Sequence, residues 1–528
     1  MADKLRPYHP RIYFFCLVLL AISLPFSKPV MGLAQLLMLL NWLAEGGLKS
    51  KLASFLRNKA ALALSAVWFL HLAGLLYSDD LGYGGFDVRT KIPLLLLPLI
   101  LSTSPRLSAA QLKTLLLFFV AAITVNSLIS VAALTGWVRK EITETRGISL
   151  FVSHIRFGLM ICLSVFILGY YLYHSRSFSQ RVLYGMLALW LTVFLFIMGS
   201  VTGIVVLIAV VFALLSWLIF RRGKPWLKIA YPLTLALFAW QGIAFVVREL
   251  EESHVVKQQV DPGRLDSLTP RGGMYAHELH NKQLENGYYV GLYICWEELE
   301  AAWNQKPGVR IRYDALDRRG NEIRFTLVRY LTSKGLRKDA DGVNALNAED
   351  VRAIEKGIAN HLYNDYSGIR TRIHEIVWEF NEYRSGRDPS GHSVTQRMEF
   401  WATALAIIKQ DPLFGVGTGD PPGAFAQMYK TRNSPLKEKF RLRSHNQYLA
   451  IAVALGLPGL ALFLFSLFYP AWKANAWRDY LYAVFFIIIV LSFLNEDTLE
   501  SQAGVTFYAF FNSLFLFGRS REQQNPLN

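Results

Sequence analysis

The sequence predicts an all-α protein that crosses a membrane many times and carries one large α+β insert. Three observations support this. Of its 528 residues, 53% are hydrophobic, and they arrive in runs long enough to span a bilayer. Lys and Arg fall unevenly among the short loops, which sets an orientation. One polar stretch, 247–444, is too long for a loop and has structure signals of its own.

The apolar runs lie near 11–26, 30–46, 59–77, 91–103, 112–137, 153–173, 181–198, 201–220, 228–246, 445–469, 478–494 and 502–518. That gives about twelve spans, each near the ~20 residues a bilayer demands. Lys4, Arg6 and Arg11 precede the first run, as in a signal peptide, but further spans follow at once, so a retained helix is expected. Pro25 and Pro29 leave only a tight turn before the second run. With the N-terminus inside, the inner loops receive Lys49, Lys51, Arg57, Arg221, Arg222 and Lys224, among others. The outer loops hold fewer, among them Arg89, Lys91, Arg139, Lys140 and Arg146. Both termini are then cytoplasmic. The chain divides into spans one to nine (1–246), an outer domain (247–444) and spans ten to twelve (445–528).

The net charge of +16 follows from this loop bias, so no nucleic-acid partner is expected. The three cysteines show no metal or redox spacing, and no disulfide is expected.

Within the insert, VRIRYDALDRRGNEIRFTLVRY alternates and breaks at Arg318–Asn321, which predicts a β-hairpin. NAEDVRAIEKGIANHLY predicts a helix capped by Asn347. SGIRTRIHEIVWEFNEYRSG predicts a second, with an apolar face through Ile369, Ile373, Ile376, Val377 and Phe380, ended by Gly386.

The stretch GHSVTQRMEFWATALAIIKQDPLFGVGTGD (391–420) predicts an amphipathic helix at 393–410, opened by the capping pattern Ser393–Gln396. Met398, Trp401, Leu405 and Ile408 form its apolar stripe, suited to the outer membrane boundary. Two readings of its polar groups stand side by side. Arg397 is a solvated cap charge and Gly415, Gly417 and Gly419 form a plain turn. Alternatively, Arg397 and the N–H groups of the glycine turn bind an anion. Downstream, Ser444–Gln447 is a second capping pattern, which places His445 in the first turn of span ten behind Arg441 and Arg443. A helix N-terminus suits phosphate and disfavours imidazolium, so His445 is either a neutral base beside an anion site or an interfacial anchor.

The order R-x-x-x-W-x-x-A-L (397–405), D-P-L-F-G-V-G-T-G (411–419), H-N-Q-Y-L (445–449) and G-L-P-G (456–459) resembles the O-antigen ligase and polymerase family. LLYSDDLGYGGFDVRTKIPLLLLPLI (75–100) and NEDTLESQAGVTFYAFF (495–511) extend the resemblance over most of the chain. Residues 281–303 resemble the insert of one subset of members. The resemblance implies a GT-C-type fold in the bacterial inner membrane, with the large loop in the periplasm. It implies transfer of a glycan from an undecaprenyl-diphosphate carrier to an acceptor hydroxyl, such as that of lipid A-core, without metal or other cofactor. It assigns Arg397 to the diphosphate and His445 to the acceptor proton, with Arg441 and Arg443 close by. One motif departs from the family. Val201, in Gly199–Gly203, stands where many members carry a second arginine. Arg156 in SHIRFG is the candidate substitute, with His154 beside it; the alternative is that Arg156 snorkels or pairs with a carboxylate.

Ligation, polymerisation of repeat units and transfer to protein hydroxyls share these motifs. A transporter is the rival of another class; it predicts inverted repeats and mid-membrane polar residues, and the sequence shows neither. His277–His280 lacks the H-E-x-x-H spacing, so no metal site is expected there. Glu496, Asp497 and Glu500 are read as a solvated or Arg-paired turn, with a rival base or an acceptor guide as alternatives.

Overall fold

The computed structural model describes residues 6–135, 149–254, 256–258, 260–365, 368–386 and 388–519. Arg139, Lys140 and Arg146, used above for orientation, lie outside them, as do Lys4 and Arg521.

Helices occupy all twelve predicted apolar runs, and they fall into classes by length. Among the described residues, seven are long and apolar enough to cross a membrane: Lys59–Tyr77, Ala109–Leu134, His154–His174, Phe178–Ile197, Val201–Arg222, Pro225–Phe245 and Gln447–Lys473. Lys28–Ala44 and Leu48–Arg57 form an eighth only as a pair bent by 114°. The bend follows from Gly46 and Gly47, both at positive φ. His9–Ser23, Tyr480–Asn495 and Gln502–Phe517 are apolar but shorter, and Pro93–Thr103 is shorter still. The chain is thus a mostly helical, multi-pass membrane protein.

The chain forms two compact units: Met1–Arg222 with Arg397–Asn528, and Gly223–Gln396. These units cut across the sequence division at 247–444. Phe400, Ala404, Ile407 and Ile408 of the helix Ser393–Gln410 bury themselves against Phe425, Tyr429 and Val453, which ties this helix to span ten.

At the core of the first unit is Gln502–Phe517. It is mostly apolar, with Thr506, Asn512 and Ser513 among its residues, and is buried from Ala503 to Leu516, as a central helix is. Phe485 packs edge-to-face or tilted against its Phe507, Phe511 and Phe515. At its end, buried Arg519 grips buried Asp479 through two contacts of 2.7 and 2.8 Å. Asp479 also caps Tyr480–Asn495 by accepting from the Tyr482 N–H. The helices Phe178–Ile197 and Val201–Arg222 leave Leu189, Phe196, Val205 and Phe220 exposed, as lipid-facing helices do.

In the second unit, the helix Pro225–His254 keeps its apolar surface uncovered. The insert has a small core of Leu299, Trp303, Ile323, Leu327, Tyr330 and Leu331. The helix predicted over 347–363 starts at its Asn347 cap but spans only Ala348–Glu355, stopped by Gly357 at φ +80°; Gly368–Arg384 matches the sequence reading, and Gly386 follows it at φ +77°. The predicted β-hairpin is wrong. Leu316 and Glu322 form a lone bridge around the turn, but Ile323–Ser333 is a helix. Ile323, Leu327 and Leu331 recur every four residues and fill the core, and this period overrides the apparent alternation. Asp317 fixes the turn, accepting from the Arg319 and Asn321 N–H groups and the Thr326 hydroxyl. The named strands are Leu284–Glu285 and Tyr288–Tyr289, a minimal hairpin around Asn286–Gly287, both at positive φ. The three cysteines are free and buried.

Candidate functional site

The glycine turn and span ten are spliced together. Pro458 has no N–H to offer Ala454, and Gly456 lies at φ +67°, ψ −174°, outside helical geometry. The Leu457 N–H therefore turns to the Pro412 carbonyl at 2.8 Å, and the carbonyls of Val453 and Ala454 are freed. The Val416 and Gly417 N–H groups take them, each at 2.9 Å. The Gly415 N–H donates to Asp411, that of Thr418 to Gly74 and that of Gly419 to the Ser78 hydroxyl. A Cβ on Gly415 would meet the Val453 carbonyl at 2.5 Å, and one on Gly419 the Asp80 carbonyl at 2.1 Å. Gly415, Gly417 and Gly419 are thus packing positions whose N–H groups are all engaged, and the anion-cradle reading of this turn is corrected.

The helix Ser393–Gln410 begins where its sequence pattern places it. Met398, Trp401 and Leu405 stay partly exposed, as the boundary-helix reading requires, whereas Ile408 is buried in the protein. Glu399 is buried and accepts from the Ser434 hydroxyl at 2.8 Å. Arg397, half-buried, acts electrostatically on Glu496.

His445 lies just before span ten rather than in its first turn. The cap is Asn446, whose side chain accepts from the Leu449 N–H at 3.0 Å. His445 itself has φ +45°, a conformation that is costly for a side chain with a Cβ. The strained backbone aims the imidazole at the turn after Tyr480–Asn495. There its Nδ1 faces Asp497 Oδ1 at 3.7 Å and Glu496 Oε2 at 3.9 Å. Phe400 lies against the ring at 5.6 Å between centroids.

Glu496 and Asp497 are 5% and 4% exposed, so the solvated reading of this turn is wrong and the Arg-paired one right. Arg156 Nη2 stands 3.4 Å from Glu496 Oε1. Arg443 reaches Asp497 at 3.6 Å, Glu500 at 3.3 Å and the Tyr83 hydroxyl at 2.8 Å. The two neighbouring carboxyls are pushed apart. Burial, reinforced by the charge of Asp497, raises the affinity of Glu496 for a proton. Burial acts the same way on Asp497, but His445 and Arg443 beside it outweigh this and hold its carboxyl below the usual range. Such divergence recurs both at sites where protons are handled and in structural ion-pair networks. His445, Glu496 and Asp497 together offer three ligand atoms within 4.8 Å of one another, the one such group among the described residues that could hold a metal ion.

Of the residues singled out from sequence, the structure therefore gathers Arg156, Arg397, Arg443 and His445. Arg441 is held elsewhere, its guanidinium donating to the Leu436 and Ser434 carbonyls. His154 is half-buried in the first turn of the helix that carries Arg156. Val201, at 56% exposure, opens its helix without a charge. Sequence reasoning missed Lys91, Asp87 and His71. Lys91 was read as an outer-loop charge, yet it is fully buried, paired with Asp87 and 3.1 Å from Glu500. His71 stands 3.3 Å from Asp87. The i,i+4 spacing of Asp87 and Lys91 beside an apolar run was the available signal.

No curated protein matches the chain. A family model described as O-antigen ligase matches residues 358–464, the segment that holds Arg397, the glycine turn and His445. That match covers residues 358–464 and supports the resemblance of this segment to the O-antigen ligase and polymerase family.

Proposed function

We propose that the chain is an inner-membrane glycosyltransferase of the GT-C type. In this reading it moves a glycan from an undecaprenyl-diphosphate carrier to an outer acceptor such as lipid A-core, as an O-antigen ligase. The observation that carries the reading is His445, inside the matched segment, with Nδ1 facing two buried carboxylates that three arginines surround. Carboxylates at Nδ1 favour the proton there and leave Nε2 free to accept one. The acceptor O–H gives its proton to His445 Nε2 as its oxygen bonds to the sugar C1. The bond from C1 to the carrier phosphate breaks, and its electrons leave with the diphosphate. Arg397 and Arg156 stabilise that growing charge, with Arg156 in place of the arginine missing at Val201. His154 adds a polar group beside Arg156 at the same helix start.

The proposed reaction needs no metal. Arg156, Arg397 and Arg443 already balance Glu496, Asp497 and Glu500, which leaves little reason for a divalent cation to bind. Activity that survives exhaustive chelation supports this, and activity restored only by an added divalent cation contradicts it. Both termini are placed in the cytoplasm and the 247–444 segment in the periplasm, from the loop charges.

The test of function is the lipid-linked glycan pool of cells lacking the protein. Long glycans that accumulate on the carrier and fail to reach their acceptor identify a ligase. Accumulated single repeat units identify a polymerase. A normal lipopolysaccharide with unglycosylated surface proteins identifies protein transfer. Unchanged carrier pools and surface glycans contradict all three.

A further inference from the structure

Among the described residues of the first unit, Lys91 is the most completely buried charge, at 0% exposure, and the proposed chemistry does not use it. A buried ammonium persists only with close partners. Lys91 has two, Asp87 one helical turn before it and Glu500 across the fold. Glu500 is in turn shared. Its Oε2 faces both Lys91 Nζ at 3.1 Å and Arg443 Nη1 at 3.3 Å, while its Oε1 accepts from Gln447 at 3.3 Å. Arg443 continues to Asp497 Oδ2 at 3.6 Å, and Asp497 Oδ1 faces His445 Nδ1 at 3.7 Å. An unbroken sequence of charges thus runs from Lys91 through Glu500, Arg443 and Asp497 to His445. Gln447 adds a second tie, because its side-chain carbonyl accepts from the Leu499 N–H at 2.7 Å and pins the 496–500 turn to span ten.

The charges close on themselves. Lys91, Arg156, Arg397 and Arg443 face Asp87, Glu496, Asp497 and Glu500, four against four. Removing Lys91, alone or together with Asp87, takes from Glu500 Oε2 one of the two cations it faces. Arg443 is then drawn towards Glu500 and away from Asp497, and the group that orients His445 loses its fixed partner.

We infer that Lys91, held by Asp87, is a positioning residue for His445: it fixes Glu500 and hence Arg443 and Asp497, without touching substrate. This rests on the transferase reading. It assigns Arg443 to the internal network rather than to the donor.

The test uses the purified full-length protein in lipid nanodiscs, with the lipid-linked diphosphate donor. Lys91→Met is expected to lower kcat by about 10- to 100-fold, the scale of a misplaced catalytic group, with the donor KM changed less than about threefold. Lys91→Arg should recover part of the loss. Combined with Asp497→Asn, Lys91→Met should add almost nothing, because both act on one path. A wild-type kcat in Lys91→Met, or losses that multiply in the double variant, overturns the inference. If Lys91→Met does not accumulate, the paired variant Asp87→Asn/Lys91→Met removes both charges together, and the same kcat loss is expected; a wild-type kcat there is equally fatal. A readout independent of turnover is the rate at which diethyl pyrocarbonate modifies His445, followed by mass spectrometry. A severalfold change in Lys91→Met supports the positioning role and an unchanged rate contradicts it. Absence of transfer by the wild type condemns the transferase reading instead, and the His445 modification rate still decides the positioning role.

Discussion

Replacing Arg156 separates two roles that share one side chain. Its guanidinium lies 3.4 Å from Glu496 Oε1 and 3.3 Å from the Ser153 hydroxyl, with only 18% of the side chain exposed. As a partner of Glu496, it contributes a charge-assisted contact worth about 1.5–3 kcal/mol. As a donor to the leaving diphosphate, it contributes transition-state stabilisation of about 3–4 kcal/mol, or about 100- to 1000-fold in rate. Arg156→Gln alone shows both losses and decides nothing. The decisive comparison is Arg156→Gln/Glu496→Gln against Glu496→Gln, assayed for kcat/KM on the lipid-linked donor and for thermal unfolding. A role confined to pairing predicts that, once Glu496 is neutral, loss of Arg156 changes neither quantity. The diphosphate role predicts little further change in stability but a further 100- to 1000-fold loss in kcat/KM. Equal kcat/KM in the two variants refutes the assignment and leaves the departure at Val201 without a substitute.

Three further outcomes follow from the packing. Gly456→Ala puts a Cβ 2.3 Å from the Leu413 carbonyl at a positive φ, so it should destabilise the protein by at least about 2 kcal/mol, read as a lower unfolding midpoint. Arg519→Gln leaves Asp479 buried and alone at a cost of about 3–5 kcal/mol, and adding Asp479→Asn should recover much of it in the same measurement. Burial pushes the Lys338 amine in the insert down to about 7 from 10.5. Between those values the unfolded chain binds a proton that the folded chain does not, so stability rises with pH across that window. Pulse proteolysis of the insert within the full chain should show this rise, and Lys338→Met should remove it.

The mostly helical, multi-pass character was legible because long apolar runs report directly on the bilayer. The helix 393–410 was legible through its capping pattern and stripe. His445 and Arg397 were singled out through spaced motifs. What sequence could not show is what depends on distant segments meeting. The glycine turn looked like an anion cradle because its N–H groups were free in one dimension; in three, Pro458 and Gly456 supply carbonyls that consume them. Glu496 and Asp497 read as solvated or Arg-paired from sequence, and the approach of Arg156, Arg443 and His445 decides for the second. Lys91 passed as a loop charge for the same reason, its partner Glu500 lying 409 residues away. The false hairpin at 309–330 had a different cause. A segment rich in β-branched residues carried both periods, and the core it filled selected the helical one.

The measurement that tests the central claim most directly is glycan transfer by the purified full-length protein, wild type against His445→Ala. The substrates are a defined undecaprenyl-diphosphate-linked glycan and a lipid A-core acceptor. Wild-type protein should release the carrier diphosphate and extend the acceptor, while His445→Ala inserts, unfolds at a similar temperature and gives no product above background. Full transfer by His445→Ala would remove the proposed base and, with it, the mechanism built around this site.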